Sequence, residues 1–225
     1  MEKNTNIKQI FILAAIALAF MAILVGAVLV LNTVKSGGNK TSGASSPESA
    51  TDDMASHHAP PAPADNSKFQ SLLGAPAPEF KLQSFDGKEV NLASLKGKRV
   101  VLFFSEGAMC YPGCWDQIDA FVDDAKKFTE KNTEVYTVIV DPKKDWQDAV
   151  NQDKKMALAN VLLDAGGTVS LAYGMLTVDS SMHRGQFPGH TYIILDKEGV
   201  VRYLLDDADM QIRNKELLKE LEKVS

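Results

Sequence analysis

Cys110-Tyr-Pro-Gly-Cys114 contains the two cysteines of a 225-residue chain. An apolar run at 99–105 precedes them, and a segment with helical spacing starts near Pro112. A strand that delivers a cysteine to a helix start makes a reactive thiol, because unpaired backbone N–H groups and the helix dipole stabilise the thiolate there. A bridge across four positions closes too short a loop to constrain much chain entropy, so a redox couple fits better than a structural staple. Cα atoms four apart in a helix lie about 6 Å from one another, within the span of a disulfide. His190 is the third candidate. It enters a second apolar run, 191–195. An imidazole there either faces the cysteine pair, where it stabilises a thiolate or shuttles a proton near pH 6.5, or simply hydrogen-bonds the loop. His183 and Arg184 fall in a polar stretch between Ser180 and Phe187 and read as a solvated loop.

The elements that must position these residues follow from periodicity. Residues 80–85 and 88–92 alternate around Asp86-Gly87 as a hairpin. Residues 100–104 are wholly apolar, as in a strand covered on both faces. Trp115, Ile118, Phe121, Val122, Ala125 and Phe128 recur at helical spacing and read as core, while Tyr111 is placed to shape access to the thiols. Residues 134–140 supply the next strand, completing a parallel strand–helix–strand unit. A second amphipathic helix follows Asp145, then a short strand at 160–163 and a short helix at 168–173. Residues 190–195 and 200–205 form an antiparallel hairpin, and a closing helix from about Asp209 turns Ile212, Leu217, Leu218 and Leu221 inward. This order predicts an α/β fold: a thioredoxin-like three-layer α/β/α domain with a mixed sheet over 68–225.

The first 67 residues are of another kind. After a short tail (1–9), residues 10–31 form 22 uncharged, mostly apolar positions. At 1.5 Å per residue they reach about 33 Å, enough to cross a bilayer. No small-residue cleavage pattern follows the run, so an uncleaved single-pass anchor in the cell membrane is expected. Lys3 and Lys8 are nearly balanced by Lys35 and Lys40, but the very short leading tail places the C-terminal domain outside the cytoplasm. Residues 32–67 are rich in Ser, Gly, Ala and Pro and read as a disordered tether, with Met54, His57 and His58 as solvated members. A net charge of −5 argues against a nucleic-acid partner.

Leu73-Gly-Ala-Pro-Ala-Pro-Glu-Phe-Lys-Leu82, Leu95-Lys-Gly-Lys-Arg-Val-Val-Leu-Phe-Phe104, residues 162–174 and Ile193-Ile-Leu-Asp-Lys-Glu-Gly199 resemble the landmarks of the alkyl hydroperoxide reductase/thiol-specific antioxidant (peroxiredoxin and redoxin) family. Ala108-Met109 with Pro112-Gly113-Cys114 is similar to the active-site loop of its bacterioferritin-comigratory type. The resemblance implies a thiol peroxidase without a cofactor or metal. Cys114 would attack the peroxide and become a sulfenic acid, and Cys110 would resolve it to an internal disulfide that a reducing thiol protein then opens. Two positions depart from the family pattern: Gly107 and Tyr111 stand where it has proline and threonine. The family arginine falls at His190, with Arg184 and Arg202 as possible substitutes. The same two sulfurs also resemble those of thioredoxin-like disulfide reductases acting on protein substrates. With His190 they are similar to the Sco-type copper chaperones, two soft thiolates and an imidazole suiting copper.

Overall fold

The computed structural model describes residues 63–224. The expected tail, the span at 10–31 and all but the last residues of the tether lie outside the described residues. Among the described residues no helix is long and apolar enough to cross a membrane.

The elements run α1 (Ser67–Gln70), β1 (Lys81–Ser84), β2 (Glu89–Asn91), β3 (Arg99–Phe104), α2 (Gly113–Glu130), β4 (Thr133–Ile139), α3 (Lys143–Gln152), β5 (Val161–Leu163), α4 (Thr168–Ala172), β6 (Thr191–Leu195), β7 (Val201–Asp206) and α5 (Asn214–Glu220). Seven strands form one mixed sheet in the order β2-β1-β5-β4-β3-β6-β7. β3 pairs in parallel with β4 and antiparallel with β6. It is therefore central, and Val101 to Phe104 are wholly removed from solvent. Each such side chain contributes roughly 1.5–3 kcal/mol of burial.

Alternation along the strands sends neighbouring residues to opposite faces. Val101, Phe103, Tyr192 and Ile194 face a cluster that includes Ile118 and Phe121 of α2, Trp146 of α3 and Leu217 of α5. Leu102, Phe104 and Ile193 face the other, with Phe69 of α1 and Val169 of α4. Helices thus cover both faces of a mixed sheet, as the three-layer expectation requires.

The closing helix departs from expectation. It begins at Asn214 rather than near Asp209, and Ile212 is 56% exposed instead of inward. The cause is Asp207, whose carboxylate accepts the Gln211 N–H (2.9 Å) and the Arg213 guanidinium (2.6 and 2.7 Å). These bonds hold 207–213 in a turn. Ala125, expected in the core, is exposed on the outer side of α2.

Candidate active site

Leaving β3, the chain buries Ser105 and Glu106 and enters a 3-10 turn over Gly107–Met109. Gly107 has φ +67, and a Cβ there would overlap the Asp141 carboxylate, whose Oδ1 accepts the Ala108 N–H at 3.2 Å. Proline, fixed near φ −65°, cannot adopt this conformation. The departure from the family pattern at Gly107 therefore has a backbone cause. Burial pushes the Asp141 carboxyl upward.

Cys110 follows the turn, and Cys114 is the second residue of α2. Their sulfurs form a disulfide, with Cα atoms 5.4 Å apart. Both residues are buried. Cys114 thus lies in the first turn of α2, its own N–H bonded to the Cys110 carbonyl at 3.0 Å, where the positive end of the helix dipole favours a thiolate once the disulfide is reduced. The Met210 sulfur is 4.0 Å from that of Cys110.

His190 immediately precedes β6, whose Thr191 pairs with Phe104 at the end of β3. That register brings His190 to the cysteines. Its Nδ1 lies 3.4 Å from Cys114 Sγ, and its ring packs edge-on against Phe103. Nε2 lies 2.8 Å from the Tyr192 hydroxyl.

The hydrogen-bond network assigns the tautomer. The Arg213 backbone N–H donates to Gln117 Oε1 at 2.7 Å, which marks that atom as the oxygen. Gln117 Nε2 donates to Asn214 Oδ1 at 2.8 Å, and Asn214 Nδ2 donates to Ala120 O and Asp124 Oδ2. The Tyr192 oxygen is 2.9 Å from Gln117 Oε1 and 3.1 Å from the Gln211 carbonyl, and both of these only accept. The tyrosine must donate to one of them, leaving a lone pair for His190. Nε2 therefore carries the proton, and the bare lone pair of Nδ1 faces Cys114.

Burial lowers the His190 pKa to about 4, against a smaller upward pull from Asp207. The expected titration near pH 6.5 is thus corrected: beside the uncharged disulfide this imidazole is neutral. Burial also works to raise the Asp207 carboxyl, but its bonds to Arg213 and Gln211 outweigh that and hold it low.

His183 is not the freely solvated residue expected. Its Nδ1 lies 3.0 Å from Glu106 Oε2, and Glu106 Oε1 accepts the backbone N–H groups of Met182 (2.6 Å) and His183 (3.1 Å). A buried carboxylate thereby ties this loop to the cysteine turn. Arg202 pairs with Asp196 (2.6 Å) and Arg184 reaches the Asp179 carbonyl (3.4 Å), so the hydrogen bonds of both lead away from the sulfurs. Tyr111 is exposed beside Trp115, which is core as expected. Sequence reasoning missed Tyr192, Gln117 and Met210. Two had a signal: Tyr192 is two along a strand from His190, and Gln117 is three along a helix from Cys114, so each shares its neighbour's face.

Residues 73–204 match the model of the AhpC/TSA family. The chain belongs to that family. It is 36% identical over 138 residues to the chloroplastic peroxiredoxin Q of Triticum aestivum, covering 60% of this chain and 58% of that protein. With the chloroplastic peroxiredoxin Q of Sedum lineare it shares 33% over 144 residues, 63% of this chain and 73% of the other. Among solved structures it is similar to the peroxidoxin BcpB of Mycobacterium tuberculosis, with a TM-score of 0.57 and 24% identity over 68% of this chain and 98% of that one. The reduced 2-Cys peroxiredoxin of Plasmodium vivax gives a TM-score of 0.56 and 25% identity over 67% and 80%. The fold is thus the thioredoxin-like α/β fold with a mixed sheet found in this AhpC/TSA group.

Proposed function

We propose that this AhpC/TSA protein is a membrane-anchored thiol peroxidase that reduces hydroperoxides through the Cys110/Cys114 couple. The observation that carries the reading is the lone pair of His190 at 3.4 Å from the sulfur at the start of α2, with Cys110 already within bonding reach. In the dithiol form Nδ1 accepts the Cys114 S–H. The thiolate attacks the terminal peroxide oxygen, the O–O bond breaks, and the proton held on Nδ1 passes to the leaving alkoxide. The products are the Cys114 sulfenic acid and an alcohol, or water from hydrogen peroxide. The Cys110 thiol then displaces hydroxide from the sulfenic sulfur, releasing water and forming the disulfide. A reducing thiol protein restores the dithiol by exchange and leaves as its own disulfide. Charge on the reacting pair is stabilised by the N-terminus of α2 and by Asp207, which lies on the His190 side.

The domain is read as tethered through 32–67 to a span at 10–31, outside the cytoplasm. The length and apolarity of that run support the span, and the very short leading tail supports the orientation. The same two sulfurs would also serve disulfide exchange on protein substrates, and one experiment separates the two. Full-length protein in detergent, supplied with a dithiol reductant, is assayed in parallel for hydroperoxide consumption and insulin reduction. Catalytic peroxide consumption that disappears in Cys114→Ser is expected. Insulin reduction without peroxide consumption would transfer the site to disulfide exchange.

A further inference from the structure

We propose that in the reduced protein the sulfurs of Cys110, Cys114 and Met210, with Nδ1 of His190, form a four-donor site for Cu(I). The inference needs a reducible disulfide and does not depend on the peroxidase reading. The ligand atoms of the two cysteines and the histidine all lie within 4.8 Å of one another. Cys114 Sγ is 3.4 Å from His190 Nδ1, and Cys110 Sγ is 4.0 Å from Met210 Sδ. Donors on one tetrahedral ion, at metal–sulfur distances of about 2.3 Å and metal–nitrogen distances of about 2.0 Å, stand roughly 3.5–3.8 Å apart. The two observed spans bracket that value. Reduction breaks the bond between the cysteine sulfurs and lets them part to a non-bonded separation, opening room for an ion between them.

Three further features fit a metal rather than a bare dithiol. His190 already donates its Nε2–H to Tyr192, the outer-shell bond that fixes a ligating imidazole with its other nitrogen free. Met210 has φ +49, a left-handed conformation that long side chains seldom adopt. That backbone, anchored by the Met210 N–H to the Asp207 carbonyl at 3.0 Å, carries the residue whose thioether meets Cys110. The donors are soft: two thiolates and a thioether select Cu(I) over harder divalent ions. Two thiolates on Cu(I) leave one negative charge, which the start of α2 stabilises. Binding is a ligand exchange in which the two thiols release their protons and copper enters and stays as Cu(I). Because the ion would occupy the sulfurs that react with peroxide, copper loading and peroxide reduction exclude each other.

The test uses full-length protein, reduced and desalted without oxygen, titrated with Cu(I) against bicinchoninate. X-ray absorption of the copper-loaded wild type should show three sulfur and one nitrogen scatterers at one ion per chain. No retained copper, or fewer than three sulfurs, overturns the proposal. Met210→Leu should surrender Cu(I) at least about tenfold more readily while its Zn(II) affinity stays unchanged. Retained Zn(II) also shows that the variant is folded; equal losses of both metals, or of neither, would remove the thioether from the site. Peroxide consumption is measured on the copper-free sample. If consumption is normal and no copper is retained, only this inference fails; if copper is retained without consumption, only the peroxidase reading fails.

Discussion

His190 shows how burial sets the chemistry of a single side chain. In the unfolded chain an imidazole takes up a proton below about pH 6.5. In the oxidised fold it stays neutral down to about 4. Between those values the unfolded state binds more protons, so this group's contribution to stability is complete above pH 6.5 and is lost as pH falls towards 4. At pH 5 the loss amounts to about 2 kcal/mol. His190→Asn should therefore lose less stability between pH 7 and pH 5 than wild type, by about that amount, when urea midpoints of the oxidised proteins are compared. Tyr192 acts one bond further out, by holding the proton on Nε2. Tyr192→Phe relaxes the tautomer preference and should slow alkylation of reduced Cys114 by roughly 2–10-fold, the equivalent of one hydrogen bond. His183→Asn should leave that rate unchanged, since His183 bonds Glu106 and not the sulfurs.

Element by element, the turn before Cys110 is a tightly constrained piece of backbone near the site. Gly107→Ala would combine a left-handed φ with overlap on Asp141, and should destabilise the protein by about 2–3 kcal/mol, read as a lower urea midpoint. The β3–α2–β4 unit was legible in the sequence because apolar runs and helical spacing are local signals. The cysteine couple was legible from its place at their junction. The start of α5 was not, because one carboxylate, Asp207, overrides the helical spacing of 209–213 through side-chain bonds. Nor was the Glu106–His183 tie, which joins residues 77 positions apart with no periodic pattern between them. The neutral state of His190 depends on packing from α2, β3 and β6 together, which no single segment records. Met210 was invisible for a similar reason: its position over Cys110 comes from a left-handed residue in a turn.

For the whole molecule, the apolar run at 10–31 predicts that the full-length chain sediments with membranes, resists alkaline extraction and is released by detergent. A chain beginning at residue 32 should instead stay in the supernatant; full-length protein extracted by alkali alone would remove the anchor from the proposal. The sheet and its two helical layers matter to function through one register, which sets His190 beside Cys114. The decisive measurement is a single turnover of reduced, full-length protein with one equivalent of hydrogen peroxide, quenched into dimedone and read by mass spectrometry for wild type, Cys110→Ser and Cys114→Ser. Wild type should yield the Cys110–Cys114 disulfide, Cys110→Ser a dimedone adduct on Cys114, and Cys114→Ser no adduct. An adduct on Cys110 in Cys114→Ser, with Cys114 unmodified in Cys110→Ser, would contradict the assignment of Cys114 as the attacking thiolate.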